Sequence, residues 1–343
     1  MPVLFIDGFG FYSSLATNYT SPGTDCSIRL NMGLGRTGIG CLQINSASFG
    51  PTRSLGAHYT KVAMGIAASI SGVSAGFTEI LRFNQSSGTA GANIVIRVVT
   101  NGAIEVMRGS GDAPFQTSLG ISAALVYSFG VYNYVEAICF FHATLGTVTV
   151  RVNGAVVLTL TNQNTLAWVS VPYTDAVQIM GAAFNSVNSY YADFYVLDWS
   201  APPNNTLLGP VRVYEGPPDA NGAVTWTPNA GTNWSNVNEI PPDGDTSYNS
   251  SGTIGQADQY RHPLNVGVPS VATLFAVQHS MTAKVDSGAR SIVDDIGGVL
   301  SGGAVALPSG YAVFAWPYDL NPITGLAWQI ADFPLFAGPS VSA

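Results

Sequence analysis

The stretch from Val131 to Leu160 constrains the fold more than any other part of the chain. Its first run, Val131-Tyr-Asn-Tyr-Val-Glu-Ala-Ile-Cys-Phe-Phe-His142, is apolar on both faces, as a strand covered on both sides would be. After Ala143-Thr-Leu-Gly146 the pattern alternates, with Val148, Val150 and Val152 on one face and Thr147, Thr149 and Arg151 on the other. Apolar residues resume past Asn153-Gly154 at Val156, Leu158 and Leu160. A two-residue type I′ turn would put Val150 and Val156 on opposite faces. A three-residue loop, Val152-Asn153-Gly154, pairs Val150 with Val156 and Val148 with Leu158 and keeps the aliphatic set together. The pattern therefore predicts a type I turn closed by a glycine bulge, in a hairpin of a β-sandwich.

A second hairpin follows the same logic. Ile94, Ile96 and Val98 face inward, Thr100-Asn101-Gly102 forms the loop, and Ile104 and Val106 return on the same face. This register sets Arg97 across from Glu105 as an outward ion pair worth about 0–1 kcal/mol. The two hairpins share Asn-Gly-Ala-aliphatic wording, which reads as one turn used twice.

Further strands are expected at Val3–Ile6, Ile28–Met32, Ile39–Ile44, Tyr59–Ile70, Glu79–Phe83, Val177–Met180 and Tyr190–Trp199. Gly33-Leu-Gly-Arg-Thr-Gly38 matches a dinucleotide-binding Gly-x-Gly-x-x-Gly in letters, but a strand pattern follows where that motif needs a helix. These glycines read as turn residues. Consecutive prolines in Ala201-Pro-Pro-Asn-Asn205 cannot continue a ladder and mark a boundary, giving a β-sandwich over 1–203 and a smaller β-rich domain over 204–343. In the latter, Leu208–Tyr214, Val271–Val285 with a return at Arg290–Val293, Tyr311–Trp316 and Gly325–Ile330 read as strands. Pro217 to Gln259 is loop-like, dense in Asp, Asn, Pro and Trp. The chain shows no convincing amphipathic helix, so the fold class is all-β, an antiparallel sandwich.

Composition narrows the function classes. Of 343 residues only 9% are charged, and Lys61 and Lys284 are the sole lysines. The surface is thus neutral and polar, as in a protein largely covered by an assembly, or in a stable extracellular β-protein with a Ser/Thr-rich coat. The net charge of −8 and ten dispersed arginines argue against nucleic acid. No apolar run reaches the roughly 18 residues of a membrane span. Cys26, Cys41 and Cys139 lack metal-type spacing, and Cys139 is expected to be a buried free thiol. The start, Met1-Pro-Val-Leu-Phe-Ile-Asp-Gly8, has no basic segment or cleavable apolar segment, so synthesis in a cytoplasm without a signal peptide is expected. The Asn-x-Ser/Thr triplets at Asn84 and Asn233 then read as chance.

The order of apolar strand, Gly146-Thr-Val-Thr-Val-Arg-Val-Asn-Gly154 hairpin and closing aromatic strand with Asp193 resembles concanavalin A-like jelly rolls of the laminin-G kind. Phe5-Ile-Asp-Gly-Phe-x-x-Tyr12, Leu208-Gly-Pro-Val-Arg-Val213, Asp243-Gly-Asp-Thr-Ser-Tyr248 and Asn321-Pro-x-Thr-Gly-x-x-Trp328 narrow the likeness to tailed-bacteriophage virion proteins. Where many of those carry an acidic residue after the opening Gly-Phe, this chain has Gly10. The resemblance implies a structural component of the virion (tail, neck, baseplate or capsid decoration) that assembles with itself as a homo-oligomer and with other virion proteins. It also allows contact with a host surface glycan.

Candidate chemistry is sparse. A glycosidase needs two carboxylates roughly 5–9.5 Å apart. Glu136 lies on an apolar strand face between Tyr134 and Ile138, but no second acid recurs near it on that strand. Its ordinary role would be a buried acceptor for tyrosine hydroxyls or an arginine, and the chain is expected not to be an enzyme. Asp243, Asp245 and Asp258 offer oxygens for Ca²⁺, although Asp-Gly-Asp is equally good turn chemistry. Trp226, Trp234 and Tyr248 offer faces for stacking on sugar rings. Together with Trp316 and Trp328 they also suit core or interface anchors. His58, His142, His262 and His279 show no triad or zinc spacing.

Overall fold

The computed structural model describes residues 3–30, 32–36, 40–45, 50–73, 76–85, 91–109, 116–167, 171–181 and 188–342. It divides into two units, Leu4–Val213 and Tyr214–Ala343, with Val3 grouped with the second. Thr37 and Gly38 of the glycine-rich stretch, Asn31 of the strand expected at Ile28–Met32 and Ile39 of the strand expected at Ile39–Ile44 lie outside the described residues.

The first unit is built from β1 (Val3–Asp7), β2 (Cys26–Leu30), β3 (Gly40–Asn45), β4 (Thr52–Tyr59), β5 (Lys61–Ile70), β6 (Phe77–Gln85), β7 (Gly91–Val99), β8 (Ile104–Arg108), β9 (Thr117–Ile121), β10 (Asn133–Phe140), β11 (Gly146–Val152), β12 (Ala155–Gln163), β13 (Thr174–Ile179) and β14 (Asn188–Asp198). One sheet runs β12-β11-β10-β5-β14-β3-β2, with β1 added to β14; the other runs β4-β13-β6-β7-β8-β9. The ladders along both paths are antiparallel. This is an all-β sandwich.

Its core follows from register. Val135, Ala137 and Cys139 of β10 lie opposite Val152, Val150 and Val148 of β11 and opposite Ile66, Met64 and Val62 of β5. All are buried, and they share one cluster with Leu81, Phe83, Ile94, Ile96, Val98, Ile104, Val106, Val177 and Ile179 of the other sheet. Each buried Val, Leu, Ile, Met or Phe of this cluster stabilises the unit by about 1.5–3 kcal/mol over an exposed one. Cys139 is a buried free thiol, with its pKa pushed far up by burial.

The β7–β8 hairpin forms with the expected register. Ile96 faces Val106, Val98 faces Ile104, and Gly102 takes φ +73° at the end of the three-residue loop. Arg97 bonds Glu105 at 2.7 Å, and its guanidinium also lies 4.2 Å from the centre of the Phe77 ring. The pair is largely covered rather than fully outward.

The β11–β12 hairpin corrects the expectation. Val152 pairs with Ala155, and Asn153 and Gly154 both have positive φ (51° and 84°), the geometry of a two-residue type I′ turn. The Asn153 Oδ1 accepts the Tyr134 N–H at 2.8 Å while its own N–H donates to the Tyr134 carbonyl, so the turn is fastened to β10. The phase conflict is resolved by a bulge: Arg151 faces Val156, yet Val150 faces Leu158. Val156 is therefore 56% exposed, and Leu158 and Leu160 occupy the positions across from Val150 and Val148.

The opening Asp7 explains its own motif. Its carboxylate accepts the Phe9 N–H (2.7 Å) and the hydroxyls of Tyr12 (2.6 Å) and Tyr19 (2.9 Å), with the Asn18 amide at 3.1 Å. Burial nonetheless pushes its pKa up to about 6 against the lowering effect of these donors and of Arg53.

The second unit contains β15 (Ala220–Val224), β16 (Thr227–Pro228), β17 (Asn249–Ser250), β18 (Asp258–His262), β19 (Val277–Ala283), β20 (Ser291–Ile296), β21 (Val299–Ala306), β22 (Ala312–Tyr318) and β23 (Leu335–Ser342). A five-stranded sheet runs β15-β18-β23-β20-β21, and β19 pairs with β22 in a separate ribbon. Ile292, Ile296, Trp316, Tyr318, Trp328, Leu335 and Ala337 form its core. Trp316 and Trp328 are thus core anchors. A side chain at Gly302 would meet the Trp316 indole at 2.0 Å, so only glycine lets the ring lie against β21 there.

Three strand expectations fail in this half of the chain. Leu208–Tyr214 makes no ladder: Pro210 has no N–H to donate, and Gly209 turns the chain at φ +83°. Of Val271–Val285 only β19 is a strand, and its partner is β22 rather than Arg290–Val293, which lies in β20 against β21 and β23. Gly325–Ile330 is a turn-rich segment whose Trp328 indole donates to the Tyr318 carbonyl at 2.8 Å.

Candidate functional site

Pleating sends alternate side chains of β10 to opposite faces, and the outer set is Tyr134, Glu136 and Ile138. Gly65 on the neighbouring strand makes this face possible. A Cβ there would come within 2.3 Å of the Tyr195 ring and 3.0 Å of the Tyr134 ring. Tyr195 reaches this face through a bulge in β14, where the ladder to β5 slips between Ala192 and Tyr195 and Asp193 takes φ +54°. The slip keeps Tyr191, Phe194 and Val196 inside while turning Tyr195 outward.

Residues 207–213 lie over these groups as a strap held by side chains. The Glu136 Oε1 accepts the Tyr195 hydroxyl at 2.6 Å and the Gly209 N–H at 2.8 Å. The Leu208 N–H reaches the Tyr195 oxygen at 3.3 Å, and the Arg151 Nη1 donates to the Leu207 carbonyl at 3.4 Å. Asp193 accepts the Val213 N–H at 2.9 Å and the Arg36 Nη1 at 3.0 Å, while that same Nη1 donates to the Val211 carbonyl at 2.7 Å. Burial raises the Asp193 pKa, opposed by Val213 and Arg36. Burial and the neighbouring Glu136 charge drive the Tyr195 phenol far above its ordinary value. Glu136 is thus the buried acceptor foreseen from its sequence setting. Asp193, the acid missing from its own strand, comes from β14 instead. Both carboxylates are buried and hold main-chain N–H groups of the strap.

The residues considered for Ca²⁺ do not gather. Asp258 is fully buried: its Oδ1 accepts the Thr225 and Trp226 N–H groups, both at 2.7 Å, and its Oδ2 accepts Asn233 and Tyr260, both at 2.8 Å. Four donors occupy a carboxylate's lone pairs. Asp243 accepts from the Ser247 N–H and hydroxyl, whereas Asp245 pairs with Lys284 at 2.7 Å and Tyr311 at 3.0 Å. The Lys284 bond holds the exposed Asp245 carboxyl below its usual range. Among the described residues no group of three or more His, Cys, Asp or Glu is arranged to hold a metal.

Asp258 organises the aromatic set instead. It captures the amide of Trp226, whose indole donates to the Gln256 carbonyl at 3.2 Å, and the side chain of Asn233, which precedes Trp234. Asn249 and Asn236 extend this network to the Asn233 carbonyl, the Tyr248 carbonyl and the Tyr260 hydroxyl. Trp226 and Trp234 are half-buried, and Tyr248 is 39% exposed.

Two histidines far apart in sequence meet in the second unit. The rings of His262 and His279 have centroids 5.4 Å apart. His279 Nδ1 lies 2.6 Å from Asp294 Oδ1, and the Tyr318 hydroxyl donates to Asp294 Oδ2 at 2.7 Å. Burial, helped by the adjacent His279, pushes the His262 pKa down to about 4. Spacing gives no sign of this group, because β18, β19, β20 and β22 each contribute one member.

No protein-family model matches the sequence, and no curated protein does. Among solved structures, the chain is distantly similar to β-sandwich carbohydrate-active proteins. Alginate lyase Aly36B is 11% identical, with 54% of this chain and 95% of that one covered and a TM-score of 0.35. Alginate lyase AlgAT5, from polysaccharide lyase family 7, is 14% identical over 49% and 81% of the two chains, TM-score 0.31. The sialidase of Trypanosoma rangeli, in complex with sialic acid, is 13% identical over 46% of this chain and only 25% of its own, TM-score 0.33.

Proposed function

We propose that the protein is a structural component of a tailed-phage particle, working by protein–protein assembly as a homo-oligomer among other virion proteins. The observation that carries this reading is the use made of its buried acids. Glu136, Asp193 and Asp258 accept main-chain N–H groups, so the groups suited to chemistry serve to hold the chain in shape. The scarcity of charge and the virion-like motifs at Phe5–Tyr12 and Asn321–Trp328 support the same reading. Light scattering on the purified chain, with immunogold labelling of purified particles, tests it. A discrete oligomer and specific labelling are expected. A monomer at all concentrations, with unlabelled particles, overturns it.

A carbohydrate-binding role on the virion is the second reading, supported by the half-buried Trp226 and Trp234 beside the exposed Tyr248 on one network. A glycan array tests it: saturable binding abolished by Trp226→Ala or Trp234→Ala supports recognition. Polysaccharide cleavage is the weakest reading. Reducing-end release that survives Glu136→Gln would remove Glu136 as its acid.

A further inference from the structure

Alternation fixes what β2, β3 and β14 show on the outside of their sheet. Ile28, Leu42, Ile44 and Tyr191 pack in or against the core, so Ser27, Arg29, Gln43, Asn45, Asn188 and Tyr190 point away from it. The ladders set Tyr190, Gln43 and Ser27 side by side on three strands, with Asn188 beside Asn45 two residues along. A chain of hydrogen bonds gives this row its polarity. The Arg29 side chain can only donate, and its Nε does so to Gln43 Oε1 at 2.5 Å. The Gln43 amide nitrogen then faces the other way, and donates to Asn45 Oδ1 at 2.5 Å and to Asn188 Oδ1 at 3.4 Å. One cation thus orients three amides in turn, and each of their oxygens is engaged inside the row. What the row offers outward is mainly N–H donors: the Asn45 and Asn188 amide nitrogens and the terminal nitrogens of Arg29, which joins no ion pair among the described residues. Asn188 is exposed, and Arg29, Asn45 and Tyr190 are half-buried, so these groups reach solvent. Ser27 Oγ, beside Gln43, is buried without a hydrogen-bond partner.

We propose that this face binds an acidic saccharide, its carboxylate taken by Arg29 and the Asn45 and Asn188 amides and its ring laid against Tyr190. Donors gathered around one guanidinium suit a carboxylate, because charge-assisted N–H bonds to it are about twice as strong as neutral ones. A tyrosine face beside them suits a sugar ring, apolar on its faces and polar at its rim. The net charge of −8 opposes unspecific capture of anions, so retention depends on the row itself. The saccharide rests on the carbohydrate reading above; the carboxylate rests on the polarity of the row, and the site is separate from Trp226 and Trp234.

Isothermal titration of the full chain with a galacturonic acid trimer, its methyl ester and a sulfated galactose trimer tests it. The acid is expected to bind about tenfold more tightly than the ester, the difference that one charge-assisted bond makes. Arg29→Met should remove that preference, whereas Arg108→Met, which deletes a cation on the other sheet, should leave it. Asn188→Asp places a like charge among the donors at an exposed position and should abolish binding; it stands in for Arg29→Met if near-ultraviolet dichroism shows that variant unfolded. Equal binding of acid and ester, or no binding of the acid at concentrations on the order of millimolar, overturns the proposal. Tighter binding of the sulfated trimer overturns the carboxylate, and full displacement of the acid by equimolar acetate overturns the saccharide. Binding that survives Arg29→Met and Asn188→Asp but is lost in Trp234→Ala overturns this site and leaves the carbohydrate reading at the tryptophans standing.

Discussion

Asp7 in the sandwich is buried and His262 in the C-terminal unit is largely covered, and the loss of water moves them in opposite directions. It disfavours the charged form of each, so the acid is pushed up to about 6 and the base down to about 4. The consequences for stability differ in sign. Asp7 takes up its proton more readily folded than unfolded. Its contribution is fully present below its unfolded value of 3.8 and is lost as the pH rises through about 6. His262 takes up its proton less readily folded than unfolded. Its contribution is present above the unfolded value of 6.5 and is lost as the pH falls toward about 4. Between those limits, acid strengthens one unit through Asp7 and weakens the other through His262. Two units of one chain, alike in class, therefore answer the same proton differently.

The strongest disturbance is expected from Asp258→Leu in the C-terminal unit. It leaves two backbone N–H groups and a phenol without an acceptor and removes one of the two acceptors of the Asn233 amide, costing about 4 kcal/mol in urea unfolding followed by tryptophan fluorescence. His262→Phe should come next and sharpens the contrast directly. The wild-type C-terminal unit loses about 3 kcal/mol between pH 6.5 and pH 4 through this group, and the variant should not. Calorimetric scans at pH 7, 5 and 4 read the difference; an unchanged acid slope would count against the buried imidazole as its source. Asp7→Asn should remove the opposite slope in the sandwich, about 2–3 kcal/mol between pH 4 and 6, in the same scans. The smallest effect belongs to the Arg97–Glu105 pair. A double-mutant cycle to alanine should return a coupling of about 1 kcal/mol that changes little in high salt, because both side chains are largely covered and salt screens such pairs weakly.

Much of the sandwich was legible in single residues. The alternation of Val148, Val150 and Val152 marks the inner face of β11, and Ile94 to Val106 yields its hairpin register down to Arg97 opposite Glu105. The β10 run was readable as covered on both faces, but not its second cover, which is the strap. The site was less visible. Glu136 stands out as an acid among apolar neighbours. Asp193 and Tyr195 depend on a bulge that shifts the phase of β14, and no propensity marks where a ladder slips. In the C-terminal unit, short strands pair across long separations, so β19 found β22 rather than the nearer Arg290–Val293 segment. The histidine group escaped for the same reason.

The two Asn-Gly-Ala turns divide these contributions most sharply. Local sequence determined that each must be a tight reversal between aliphatic strands, because asparagine and glycine tolerate positive φ and the flanking pattern has a period of two. Which reversal formed was decided in three dimensions. Around Gly102, the Leu125 and Tyr127 N–H groups dock on the Asn101 and Gly102 carbonyls, and the three-residue loop results. At Asn153, β10 binds the turn through Tyr134, the two-residue form results, and a bulge restores the inner face. The sequence on its own determines which side chains must leave water. Only the folded chain supplies the distant backbone partners that select among turns of nearly equal energy.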